Sequence, residues 1–256
     1  MTTTVLAVCA FVLCVAVAAR STWSPCGLSM LATITPLAER GRGHRYRSAA
    51  AWFVAGGLAG GVTLGVFDGG LAALVRTTGA RPLVVAVIAF TASVLTLIAE
   101  LGLWGFRLPV HHRQVNERWL DQFRPWVYAG GFGWQVGTGL ATYVMTPSLY
   151  LMILLAGLTA TPWTAAVVAA AFGLLRGLAV LLGRRITDTQ SLTAFHRRFD
   201  HAEPLVWRAL VTVEGAVALA CAVMVSPWAA LAVLLVVVPV AAARSRVPSE
   251  ATPRPG

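Results

Sequence analysis

The sequence predicts an all-α, polytopic membrane protein built from two inverted three-helix repeats plus an additional C-terminal helix. Three observations predict it. Hydrophobic residues make up 57% of the 256 residues and charged residues only 12%, against about 25% charged in a soluble domain, so the chain lacks the polar surface that water demands. Seven apolar stretches, each long enough to cross a bilayer in roughly 17–25 residues, alternate with short polar connections. Two of those stretches are overlong and carry a proline at a matching place.

The first stretch runs from Val5 to Leu37. As one helix its 33 residues would measure about 50 Å, beyond a simple crossing. Pro25, in Ser24-Pro25-Cys26-Gly27, removes a backbone donor and predicts a break there. Two readings are open: a single interrupted helix, or a helix ended by Arg20 with residues 21–38 as a separate short or re-entrant element. Residues 5–19 also resemble a secretory signal, but no positive charge precedes them, so they are read as retained.

The second stretch, Ser48 to Val75, carries Gly56, Gly57, Gly60, Gly61 and Gly65, small residues that let helices pack closely. Asp68 is expected near its outer end, reaching the interface. The third, Pro82 to Phe106, holds Glu100. The fourth, Val127 to Leu158, is the other overlong one, with 32 residues and Pro147 inside Thr146-Pro147-Ser148. The fifth, Pro162 to Leu182, holds Arg176, the sixth, Leu205 to Val225, holds Glu214, and the seventh is Pro227 to Ala243.

Together these form a single transmembrane domain over residues 1–243. Repeat one covers about 5–106, repeat two about 127–225, and the extra helix 227–243. Residues 244–256, with three prolines, are expected to be a disordered tail. Four connections carry fifteen of the arginines: Glu39 to Arg47, Arg107 to Trp126, Gly183 to Pro204, and the tail. Only Arg76 and Arg81 lie on the opposite side. The positive-inside rule then puts the C-terminus in the cytoplasm and the N-terminus outside, in the cytoplasmic membrane. The formal charge of +10 follows this loop pattern and indicates topology, not nucleic-acid binding.

Broken helices leave polar backbone at membrane depth, tolerated only where protein or a wet cavity satisfies it. Matching breaks in inverted halves point to a transport site. The candidate pathway residues are therefore Pro25, Cys26 and Gly27 from one half and Thr146, Pro147 and Ser148 from the other. Arg20, Asp68, Glu100, Arg176 and Glu214 are the intramembrane charges, a class that is usually paired or lines a pathway. Arg176 is expected to pair with Glu100 or Glu214, either as structural glue or in proton or substrate coupling.

Cys26 follows a helix restart, where the helix N-terminus favours thiolate, and Arg20 would add to that effect. The other reading of Cys26 is filler at a structural break. Cys9, Cys14 and Cys221 read as small buried hydrophobes. His111, His112, His196 and His201 fall in polar connections without metal-ligand spacing, so no metal and no cofactor are expected. No nucleotide loop, hydrolase elbow or zinc-helix motif appears, so an enzyme is the less favoured reading, and a redox role would need Cys26 and a partner thiol.

Ser24-Pro25-Cys26-Gly27 at a broken first helix, followed by a second matching half, resembles the transmembrane thiol-disulfide carriers of the CcdA and DsbD type, within the LysE-like transporter superfamily. The resemblance spans roughly residues 5–225. It implies a carrier of reducing equivalents in which Cys26 is one of two cysteines, with a thioredoxin-like or other membrane-associated protein as partner beside the lipid bilayer. At the second cysteine position this sequence has Ser148. Two functions follow as expectations: a carrier for a small solute or thiol-linked reducing equivalents, and a non-transporting membrane scaffold or assembly factor.

Overall fold

The computed structural model describes residues 2–106, 119–142 and 144–235, and their regular structure is entirely helical. Five helices are long and apolar enough to cross a membrane: Thr2–Ser21, Tyr46–Thr78, Pro82–Leu101, Pro162–Arg185 and Thr189–Val225. Large apolar side chains such as Phe67, Leu74, Trp163 and Leu205 point outward, which in a chain this poor in charge marks lipid-facing surface. The chain is a helical, membrane-embedded protein.

The first stretch resolves into α1 (Thr2–Ser21), α2 (Pro25–Thr33) and α3 (Pro36–Gly41). α1 stops at Ser21 because Pro25 cannot continue it, and Ser24 then caps α2 by accepting from the Gly27 N–H at 3.1 Å. A break at Pro25 is common to both readings of this stretch, and two short helices follow it. Trp23, in the gap, stacks on Phe199 with ring centroids 4.1 Å apart and donates its Nε1–H to the Phe199 carbonyl at 2.9 Å. Glu39, read from the sequence as part of a polar loop, is fully buried in α3.

α4 (Tyr46–Thr78) and α5 (Pro82–Leu101) follow, each closed by a glycine in the left-handed region, Gly79 and Gly102. After the short α6 (Trp119–Gln122) comes the second interrupted stretch: α7 (Pro125–Thr138), then residues 139–142 and 144–147 outside any helix, and α8 (Ser148–Leu158). α9 (Pro162–Leu178) tightens into a 3-10 turn through Arg185.

α10 corrects the sequence reading. The connection Gly183 to Pro204 was expected to be a loop, but α10 spans Thr189–Val225 as one helix with Pro204 inside it, so His196 and His201 are helical residues. Asp188 and Ser191 form a reciprocal capping box that starts the helix early. Pro204 lies on the exposed side, as does Asp200, the residue whose carbonyl a proline at 204 cannot bond. Of the seventh stretch, residues 227–235 are helical. His111, His112 and the tail 244–256 lie outside the described residues.

α4 is the central helix, packed on α7 by one face and on α9 by another. The glycines explain how. A Cβ on Gly57 would lie 2.8 Å from the Gly173 carbonyl oxygen, and one on Gly61 would lie 2.6 Å from that of Ala169. Gly56 and Gly60 meet the backbone of Gly130 and Trp134 in the same way. Backbone rests on backbone at both seams. Outside this spine, α1 packs on α8 and α5 packs on α10.

Candidate functional site

The gap between α7 and α8 begins at Gly139, whose φ of 72° suits glycine, and ends at Pro147, the cap of α8. Thr146 and Ser148 therefore flank a proline at the edge of a helix, and both are fully buried. The Ser148 N–H donates to Thr146 Oγ1 at 3.2 Å, a local bond that replaces one the helix would have made. The two hydroxyl oxygens are 2.8 Å apart.

Two carboxyls reach these hydroxyls from other helices. Glu100, at the end of α5, lies 2.7 Å from Thr146 Oγ1 through its Oε2. Glu214, within α10, is hydrogen-bonded to Ser148 through its Oε1 and has no exposed surface. Its other oxygen, Oε2, is buried without a partner among the described residues. Trp207 also hydrogen-bonds Glu100, and the charge of Arg20 acts on it. Arg20 in turn pairs through Nη1 with Glu203 Oε1 at 3.2 Å.

The other gap makes a second, smaller polar spot. A cavity of 10 Å³, room for about one water, is lined by Thr22, Gly27, Met30, Phe53, Val136 and Arg176. Gly27 is required there, since a Cβ would collide with the Thr22 carbonyl. Arg176 is 2% exposed and donates from Nε to the Val136 carbonyl at 3.4 Å. Cys26 is the nearby side chain that interacts with its charge.

The structure thus sorts the expected site residues into two groups. Glu100, Glu214, Thr146, Ser148 and Arg20 come together around the second gap, with Pro147 holding it open. Cys26, Gly27 and Arg176 gather at the first, where Pro25 starts α2. The expected ion pair of Arg176 with Glu100 or Glu214 is not formed: among the described residues Arg176 has no carboxylate partner, because it faces the α2 side of α9. Asp68 does not reach the interface either. It is 2% exposed, with Oδ1 unpartnered, beside Gly157 of α8.

Sequence reasoning missed Trp207, Glu203 and the Glu39 cluster. Glu39 accepts from the Tyr128 hydroxyl at 2.8 Å and pairs with Arg42 at 3.2 Å. The helical spacing of Glu203, Trp207 and Glu214 along one apolar-flanked run was the available signal, hidden by treating Pro204 as a helix boundary.

Three curated relatives share most of the chain. The methylamine utilization protein MauF of Paracoccus denitrificans is 32% identical over 211 residues, covering 77% of this chain and 71% of that protein. MauF of Paracoccus versutus is 30% identical over 204 residues, with 77% and 72% covered. MauF of Methylophilus methylotrophus is 30% identical over 205 residues, with 79% and 69% covered. No family model matches the sequence. No solved structure matches it.

These relatives overturn the resemblance to CcdA- and DsbD-type carriers, which rested on one short motif. The cysteine geometry agrees with the correction. None of the four cysteines is in a disulfide, and Cys26 packs in a core with Met30, Ile34 and Phe132, whereas Cys9, Cys14 and Cys221 belong to a different core.

Proposed function

The chain belongs to the MauF family of methylamine utilization proteins, and from that membership we propose that it is a carrier-like accessory protein of methylamine utilization, moving a small solute across the cytoplasmic membrane. One observation carries this reading: two buried carboxyls and a buried arginine converge on a helix interruption inside an apolar bundle. Groups of that kind are expensive in a membrane and are kept where they do work. Interrupted helices are where transporters bind their cargo.

The two-halves architecture is part of the proposal. It is supported by like packing on like: the first elements α1 and α8, the second elements α4 and α9, and the third elements α5 and α10. The arginine count favours the tail in the cytoplasm and the N-terminus outside.

A strain that grows on methylamine and lacks its own relative provides the test. The wild-type chain restores growth and the flux of labelled methylammonium or another small amine. E100Q and E214Q, present in the membrane at normal amounts, restore neither. Growth restored by a chain that moves no solute would sink the carrier reading.

A second reading, a membrane component that assembles or holds a partner without transport, is favoured by the small size of the cavity beside Arg176. It predicts growth that depends on the chain while solute flux does not.

A further inference from the structure

Glu100 and Glu214 are joined by three oxygen-to-oxygen contacts in series: Glu100 Oε2 to Thr146 Oγ1 at 2.7 Å, Thr146 Oγ1 to Ser148 Oγ at 2.8 Å, and Ser148 Oγ to Glu214 Oε1. Each such contact needs a hydrogen, because a carboxylate oxygen has only lone pairs to offer and a hydroxyl supplies a single donor. Two hydroxyls supply two hydrogens. The Ser148 backbone N–H is used on Thr146 Oγ1 and completes none of the three. With both carboxyls ionised, one contact sets lone pair against lone pair; one carboxyl proton completes the chain.

We propose that Glu100, Thr146, Ser148 and Glu214 form a proton-binding site and relay, holding one proton and passing it between the two carboxyls. The proposal deepens the carrier reading, on which its physiological sense rests, by naming the proton as the coupled ion.

An independent observation says where the proton rests. Glu214 is wholly buried and its Oε2 has no partner among the described residues. An unpartnered oxygen is tolerated far better on a neutral acid than on an ion. Glu100, by contrast, has the Trp207 hydrogen bond and the Arg20 charge beside it. Among the described residues, Arg20 from α1 acts on Glu100 and is itself paired with Glu203 from α10, and α8 contributes the Ser148 hydroxyl. Of the two carboxyls, Glu214 is the one on which the proton rests.

Transfer runs by relay. Glu214 gives its proton to Ser148 Oγ, Ser148 gives its own to Thr146 Oγ1, and Thr146 gives its own to Glu100. Three O–H bonds break and three form, one proton moves in net, and nothing is oxidised. The hydroxyls then turn back for the next passage. The exchange end is the Glu100 side, where Arg20 leads to Glu203, whose side chain is 47% exposed.

The test uses the full chain in lipid nanodiscs. In the infrared, wild-type protein at neutral pH shows the carbonyl stretch of a protonated carboxyl, sensitive to deuteration, with a component that E214Q removes and D68N leaves. After a jump from H2O to D2O, T146A and S148A slow the deuterium shift of that band by about tenfold or more, while T146S and S148T stay within about twofold, as expected for loss or retention of a proton-transfer group.

A wild-type spectrum without a protonated carboxyl overturns the proposal, and that measurement needs no variant to fold. A band that shifts in D2O as fast as wild type in T146A and S148A that melt like wild type overturns it as well. Neither readout involves solute, so the relay and the carrier reading fail separately.

Discussion

Arg20, next to last in α1, reaches across 3.2 Å to Glu203 on α10, and the two partners differ sharply in exposure, 10% against 47%. The asymmetry sets what each side chain is worth. E203Q removes the wet partner and is expected to change stability by no more than about 1 kcal/mol. R20Q strips the cation from a cluster that contains buried Glu100 and is expected to destabilise by about 1–3 kcal/mol. Thermal unfolding of both variants in detergent checks the ordering; equal effects would refute it.

The α4–α9 seam has no space for a side chain. On Gly173 a Cβ would meet Gly57 and Gly61 backbone, so G173A is expected to cost about 1–3 kcal/mol through overpacking. Gly70, on the same α4 helix, has nothing within 4 Å of where its Cβ would be. G70A is expected to be neutral or stabilising by up to about 1 kcal/mol. Melting temperature and monodispersity in detergent separate the two.

Tyr128 donates to the fully buried Glu39. Y128F leaves the ring in place and takes away the hydroxyl, so the expected loss is about 1–3 kcal/mol from the carboxylate left short of a donor. Y128F paired with E39Q gives the coupling energy; a coupling of zero would show that the contact contributes nothing.

Asp188 lies outside the membrane-spanning part, and the Ser191 backbone N–H that it accepts holds its carboxyl below the usual carboxylate range. A lowered native value means that its contribution is fully present above the unfolded value of about 3.9. It is lost as pH falls through the native value. Hydrogen exchange in the first turn of α10 is therefore expected to be protected at neutral pH and to open only in stronger acid. D188A should exchange fast at both.

The membrane class, the two interruptions and the close-packing glycines were legible because each has a local signature: length and apolarity, proline, and residue size. The membership of the polar cluster was not. Thr146 and Ser148 could be named from the break, and Glu100 and Glu214 from their depth, but which arginine served them depended on which side of α9 faces α2. Arg176 and Arg20 look equivalent in sequence; tertiary packing alone gave the carboxyls to Arg20. The start of α10 was hidden for a different reason. Pro204 is a strong stop signal, overridden here by a capping box sixteen residues upstream.

Side chains can repack by changing rotamer; bare main chain has no rotamers to change. Where α4 touches α7 and α9 through glycine, the three rods are consequently keyed together as one rigid block. Proline interrupts the chain elsewhere, between α1 and α2 and on the approach to α8. The stiffest part of the molecule is built from its smallest residues.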